Sequence, residues 1–552
     1  MIIFNTKIIL NLAAKGEVAN MKKPNVILIY MDDLGVGDVS AFNKNSKIHT
    51  ENIDKLAADG MRFENSHASS SLCTPSRYGL LTGRYNWRSR LKSVVNTGDA
   101  EALIEKDRKT LAHLFKSQDY NTAAVGKWHL GLDWQYVDEI DFEKYGITAE
   151  SYDDDRDLTT QFGREGVFDY KYKTYIVEGI EIDYSKPITF GPNQYGFDYF
   201  FGTAASLDQS PYVYIENDMA LTEPSKIVGV PKLDRKGATQ QQDVQIGVIS
   251  DDYVHIECPQ VMQNKVLDLI DTYSKDDKPF FIYYPNHLVH GPIIPHDIDQ
   301  GKSGIGNYGD FVLQSDRYVG EIVERLKEKK IYEDTIIIFT SDNGVSGISD
   351  IPYHMSIGHN SANGLRGNKD DIWEGGHIEP TIVSYPRMIE AGSVSNQLVC
   401  HTDFYRTFVD FFGVETDDNE AEDSVSNLAI WKGTDEVVRE DIVNSCGNGG
   451  LAIRTNEWKL TFVKDGGGGW FGEGDFGPTE LFRMDVDNEH INLIDSQPEV
   501  VEELTQKLEK YILDGRSTPG AKQENARNNP DGYWNQISWM SNYDEYIKDF
   551  VE

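Results

Sequence analysis

Four short apolar runs, each ending in polar chemistry, constrain this chain more than any other feature. Val26-Ile27-Leu28-Ile29-Tyr30 runs into Asp32-Asp33, and Asn121-Thr122-Ala123-Ala124-Val125 into Lys127 and His129. Phe280-Phe281-Ile282-Tyr283-Tyr284 runs into His287 and His290, and Thr335-Ile336-Ile337-Ile338-Phe339-Thr340 into Asp342-Asn343. Runs so continuous in β-branched and aromatic residues belong to strands buried on both faces. Helical patterns at Thr110 to Ser117 and Asp316 to Lys329 fall between them. Strands alternating with helices predict an α/β fold on a large, mostly parallel sheet. Ligand sites in such sheets lie beyond the carboxyl ends of the strands. All four polar clusters sit at such ends, so they can converge although far apart in sequence.

A chain of 552 residues suits a large α/β domain, here 21–415, followed by a smaller α+β domain, 416–552. The stretch 133–258 is irregular, acidic and rich in Tyr and Asp, and reads as insertions that shape a substrate pocket. After Val414 the texture changes. Leu451-Ala452-Ile453-Arg454 and Trp458-Lys459-Leu460-Thr461-Phe462-Val463 predict antiparallel strands joined at Thr455-Asn456-Glu457, and Val500 to Leu513 an amphipathic helix. Gly466 to Gly469 reads as a flexible loop, with Trp470 a candidate sugar platform at the pocket rim. Met1 to Ala14 is moderately apolar but interrupted by Asn5, Lys7 and Asn11, and residues 1–20 read as a tail or a degraded signal segment, which leaves export open. No run approaches the ~20 apolar residues of a membrane span.

The formal net charge of −37 argues against a nucleic-acid partner, whose phosphates need Lys and Arg. It fits a salty environment, where screening weakens self-repulsion. An anionic substrate would then need a local cationic pocket inside an acidic shell. The four cysteines, Cys73, Cys258, Cys400 and Cys446, show no CxxC pattern and no disulfide framework, so three read as small buried hydrophobes. Cys73 differs. It precedes Pro75, which suits the first turn of a helix, and Gly83 suits the end of that helix. A helix N-terminus favours an anion, and Arg77 stands nearby, so physics alone points to a reactive thiol. Asp32, Asp33, Asp342 and Asn343 offer oxygen ligands, which suit calcium or magnesium and suit zinc poorly. The same residues also make ordinary turns.

Taken whole, Cys73-Thr74-Pro75-Ser76-Arg77-Tyr78-Gly79-Leu80-Leu81-Thr82-Gly83-Arg84 resembles the signature of the type I, formylglycine-dependent sulfatases, and it matches every fixed position of that signature. The resemblance extends over about Asn25 to Pro386. It implies an alkaline-phosphatase-like fold and a sulfuric ester hydrolase. It also implies that a formylglycine-generating or sulfatase-maturing enzyme oxidises Cys73 to formylglycine, whose hydrate attacks sulfur. Asn25 to Gly35 and Thr340 to Gly344 look like the family's metal segments. On that basis Asp32, Asp33, Asp342, Asn343 and the modified Cys73 bind calcium, with magnesium the alternative.

Gly126-Lys127-Trp128-His129-Leu130-Gly131 resembles the segment in which the lysine binds sulfate and the histidine acts as general base, and Arg77 would hold the diol and the metal carboxylates. Val289-His290-Gly291-Pro292 resembles the family's histidine-x-proline segment, which implies His290 as a sulfate contact and leaving-group acid, with His287 its rival. Leu365 to Lys369 and Trp373 to His377 resemble a further block, in which Lys369 contacts the ester oxygen and sulfate. That block departs at His377-Ile378-Glu379-Pro380, where the family's structural arginine is missing. His359, His377 and Trp470 are substrate-side candidates. Gly196 to Gly202 and Ala205 to Tyr212 resemble glycan-acting members, so the implied substrate is a sulfated poly- or oligosaccharide, and the implied location periplasmic or secreted. Two alternatives stay open: a phosphonate or phosphate monoester hydrolase of the same fold, and an inactive glycan-binding relative.

Overall fold

The computed structural model describes residues 23–146, 177–228, 244–468, 474–487, 489–526 and 534–551. The N-terminal segment 1–20 and Trp470 lie outside the described residues.

The main sheet contains β1 (Asn25–Met31), β2 (Met61–Phe63), β3 (Asn121–Lys127), β4 (Tyr199–Thr203), β5 (Ile215–Glu216), β6 (Met219–Ala220), β7 (Phe280–Pro285), β8 (Thr335–Ser341), β9 (Thr381–Ser384) and β10 (Ser393–Ser395). Their order across the sheet is β10-β2-β9-β8-β1-β7-β3-β4-β5-β6. The centre is parallel: β1 lies between β7 and β8, β7 pairs with β3, and β3 with β4. β9 runs antiparallel to both β8 and β2. The four apolar runs are therefore four adjacent central strands, in the order β8-β1-β7-β3.

Alternation along β1 shows why these runs are continuously apolar. Val26, Leu28 and Tyr30 belong to the core that contains Tyr78, Leu81, Phe404 and Phe408. Ile27, Ile29 and Met31 belong to the opposite core, with Met262, Val266 and Ile322. Helices Cys73–Thr82 and Asp403–Phe412 thus cover one face, and Cys258–Tyr273 and Asn307–Glu328 the other. Each such side chain contributes roughly 1.5–3 kcal/mol by leaving water. The last of these helices starts earlier than the pattern at Asp316 suggests. The Asp310 carboxylate, inside its first turn, accepts from Gly301 N and Ser303 N and ties down the preceding loop.

β4 lies inside the stretch read as insertions. Its Phe200 and Phe201 are buried, but Asp198 and Gly202 interrupt the apolar signal, so sequence alone understates it.

Four further strands, β11 (Asp441–Ser445), β12 (Leu451–Thr455), β13 (Trp458–Val463) and β14 (Phe476–Arg483), form a separate antiparallel sheet. Helix Pro498–Asp514 packs Leu504, Leu508 and Ile512 against its Ile453, Leu460 and Phe462. Tyr85 and Trp87, just beyond the Cys73 helix, share this core. β11 also pairs backbone to backbone with the segment before Cys73: Ser71 N donates to Ser445 O, and Ser445 N to Ser69 O. The described part of the glycine-rich stretch, residues 466–468, departs from the flexible loop expected of it. Gly466, at φ +81°, is buried, and a Cβ there would lie 2.5 Å from the Trp373 ring, so only glycine allows the close approach.

Candidate active site

The parallel centre delivers Asp32-Asp33, Lys127, the His287–His290 loop and Asp342-Asn343 from neighbouring strand ends, as topology predicts for an open α/β sheet. The Cys73 helix brings residue 73 to the same place from one face. The ligand atoms of Asp32, Cys73 and Asp342 lie within 4.8 Å of one another, and so do those of Asp32, Asp33 and His290. Cys73 is the first helical residue, and Gly83 closes the helix in the left-handed conformation.

Three permanent cations face three carboxylates. Arg77 donates to Asp342 Oδ2 through Nε at 3.0 Å and Nη2 at 2.6 Å, and its Nη1 donates to the Lys127 carbonyl at 3.1 Å. Lys127 Nζ lies 2.6 Å from Asp32 Oδ2, and Lys369 Nζ 2.8 Å from Asp33 Oδ1. Asn343 Nδ2 donates to Asp33 Oδ1 at 2.7 Å. Two acceptors in this shell are buried without a hydrogen-bond donor: Asp32 Oδ1, 3.7 Å from Arg77 Nη2, and Asn343 Oδ1. Unpaired buried oxygens are costly, and a hard divalent cation satisfies them. The donor set therefore fits such an ion.

Burial opposes the charge on Asp32, yet Lys127, His290 and Arg77 hold it well below the usual carboxylate range. Burial and the neighbouring Asp32 push Asp342 up to about 6 against the pull of Arg77. Burial also pushes the Cys73 thiol up to about 11, although Lys127 and Lys369 oppose it. The helix terminus and Arg77 thus fail to make a reactive thiolate, contrary to the expectation from position alone, because desolvation outweighs them.

His129 is fully buried at φ +56°, with Nε2 2.9 Å from the Asn96 carbonyl. That contact places the proton on Nε2 and leaves Nδ1 a free lone pair, an atom with no partner. Burial and the nearby Lys127 hold its pKa well below the ordinary histidine value. His290 Nε2 lies 3.8 Å from Asp33 Oδ2, and Nδ1 lies 3.6 Å from Asp208 Oδ1. His287 turns away, with Nε2 2.8 Å from Thr203 Oγ1. Asp208 and Asn96 were missed in the sequence, since neither lies in an apolar run or a charge cluster.

His359 and His377 were expected on the substrate side, and the structure places both inside the protein. His359 Nε2 lies 2.8 Å from Asp38 Oδ1, and its Nδ1 accepts from Lys47 N. His377 Nδ1 lies 2.9 Å from His67 Nδ1, in a second buried cluster with Glu374. The Lys459 ammonium stands there, 2.9 Å from Glu374 Oε1, 2.7 Å from Glu489 Oε1 and 3.3 Å from His377 Nε2. Arg454 Nε adds a contact to Glu374 at 3.2 Å. A group that looks like a His₂Glu metal site is thus already served by protein cations from β12 and β13. Where the family block loses its arginine, Ile378 is buried and both Glu379 carboxylate oxygens lack partners. Burial, then Asp342 and Asp33, raise the Glu379 carboxyl well above its ordinary value.

Comparison with known proteins bears on this arrangement. The sequence matches the Sulfatase family over residues 24–188 and 168–414. It is 30% identical over 533 residues to an N-acetylgalactosamine-6-O-sulfatase of Bacteroides thetaiotaomicron, covering 90% of this chain and 94% of that one. It is 28% identical to the arylsulfatase A of Bos taurus, covering 91% and 90%. A solved structure from work on the metabolism of multiple glycosaminoglycans by Bacteroides thetaiotaomicron superposes with a TM-score of 0.72 at 28% identity, covering 89% of this chain and 99% of that one.

Proposed function

Since the chain belongs to the sulfatase family and so hydrolyses sulfate esters, we propose that its substrate is a sulfated carbohydrate, cleaved at the cluster around Cys73. The observation that carries this reading is the balance of charge there. Three carboxylates offset Arg77, Lys127 and Lys369, and a bound divalent cation would leave a surplus of about two positive charges to meet sulfate. The relative that is 30% identical is named for an amino sugar sulfated at O6, which supports a sulfated hexosamine as the first substrate to test.

Asp32, Asp33, Asp342 and Asn343 would hold the cation, calcium by ligand preference and magnesium its competitor. A formylglycine hydrate at residue 73 would supply a hydroxyl nucleophile, whose pKa a cation held by these residues would lower. Arg77 fixes Asp342 and the Lys127 backbone. Lys127 and Lys369 face the position of the sulfate oxygens and neutralise charge that builds on them. The His129 Nδ1 lone pair accepts a proton from residue 73, and His290 delivers one to the leaving sugar oxygen.

The test joins two readouts on protein made with a maturation enzyme. Peptide mass spectrometry should find the Cys73 peptide lighter by about 18 Da, the change from thiol to aldehyde. Sulfate release should track that fraction, and Cys73→Ala should lower it on the order of 10³-fold or more. Full activity with an intact thiol would sink the mechanism. Faster turnover of the matched phosphate esters would replace the sulfate assignment.

A further inference from the structure

Asp370 follows Lys369 and stands apart from the acids around it. Its backbone sits at φ +79°, a region that non-glycine residues seldom occupy. Both ends of the residue are pinned: its N–H donates to Ser71 O at 3.1 Å, and its carbonyl accepts from Gly447 N at 2.9 Å. Ser71 lies two residues before Cys73, and Gly447 belongs to the turn between β11 and β12. The conformation is therefore imposed from two sides. Asp371 folds its carboxylate back onto Asn368 N at 3.0 Å. Among the described residues, the Asp370 carboxylate has no hydrogen-bond or ion-pair partner. Asp370 adjoins Lys369 and its N–H meets Ser71, so the residue lies on the Lys369 side of the reaction centre, where burial and Asp33 push its carboxyl up while Lys369 pulls it down.

A half-buried, unpaired carboxylate on a strained backbone is costly twice over. Glycine would remove both costs. A hydrogen-bond donor arriving with the substrate would remove the first. Asp208 Oδ1 stands 3.6 Å from His290 Nδ1, where the leaving oxygen would be, and has no hydrogen-bond partner. The two carboxylates thus flank the site on its Lys369 and His290 sides. A sugar ring bound through its sulfate presents hydroxyl or amide donors next to the ester.

We propose that Asp370 is a specificity-determining residue, whose carboxylate accepts a hydrogen bond from a hydroxyl or amide N–H of the sugar bearing the scissile sulfate. This rests on the carbohydrate reading above. The test compares wild type, Asp370→Asn and Asp370→Gly, all with residue 73 converted. The substrates are an aryl sulfate and the best of a panel of singly sulfated hexoses and N-acetylhexosamines. The expected result is a fall of about 10- to 100-fold in the ratio of kcat/KM for sugar over aryl sulfate, the range for a hydrogen bond to a charged group. Asp370→Gly should also melt above wild type, because it releases the strained conformation. Equal falls on both substrates, or an unchanged ratio, would overturn the proposal while leaving the carbohydrate reading intact. A wild type that turns over only the aryl ester would take down that reading and the proposal together.

Discussion

At the scale of single residues, burial decides which groups carry charge. His401 illustrates the cost. Its Nδ1 lies 3.3 Å from the Tyr30 hydroxyl and its Nε2 3.1 Å from Thr340 Oγ1, and burial lowers its pKa from 6.5 to about 3. Between those values the unfolded chain binds a proton that the folded chain refuses, so the contribution of His401 to stability falls as pH falls through that window. His401→Gln lacks this linkage. Relative to the variant, wild type should lose about 2 kcal/mol between pH 6.5 and pH 5 in chemical denaturation, at ~1.4 kcal/mol per pH unit. A stability difference that stays constant with pH would mean that His401 titrates normally in the fold.

At the scale of elements, the C-terminal sheet supports the segments on either side of the Cys73 cluster. Lys459 on β13 serves both Glu374, in the block after Lys369, and Glu489. Burial opposes the charge of Glu374, but Lys459 and Arg454 hold it well below its ordinary range, whereas burial pushes Glu489 up to about 7. Lys459→Met strands a buried carboxylate and should cost about 3–5 kcal/mol, with part recovered in the Lys459→Met/Glu489→Gln double variant. A loss under ~1 kcal/mol in thermal or denaturant unfolding would show the cluster to be wetter than its geometry implies.

These elements also mark what the sequence could reveal. Central strands and their polar ends were legible, because burial on both faces leaves an unbroken apolar run and the topology fixes where the ends point. The Cys73 helix was legible through Pro75 and Gly83. The Lys459 cluster was not, since its members lie 82 positions apart for His377 and 85 for Glu374, with no local pattern joining them. Nor could sequence tell that His377 faces His67 instead of a sugar, or that Gly466 packs on Trp373. Such facts exist only once two sheets meet.

At the scale of the whole molecule, charge is divided sharply between inside and outside. The chain carries a formal −37, while the cations around Cys73 are spent in pairs with buried acids. The surface must therefore repel itself, over ~30 Å at 0.01 M salt and ~8 Å at 0.15 M. Raising NaCl from about 0.02 to about 0.5 M should raise Tm by several degrees. A flat or falling Tm would mean that surface repulsion does not limit stability.

The pairing of β11 with the segment before Cys73 also imposes an order in time. Residue 73 is 2% exposed, and Ser69 and Ser71 are tied to Ser445, more than 370 positions downstream. The docked fold hides the thiol, so an enzyme that oxidised Cys73 would have to act while the C-terminal sheet is still unmade or undocked. Once the C-terminal sheet closes, an unconverted thiol would be sealed in, so the converted fraction of a preparation would be set before docking, and treating the folded protein would not raise it.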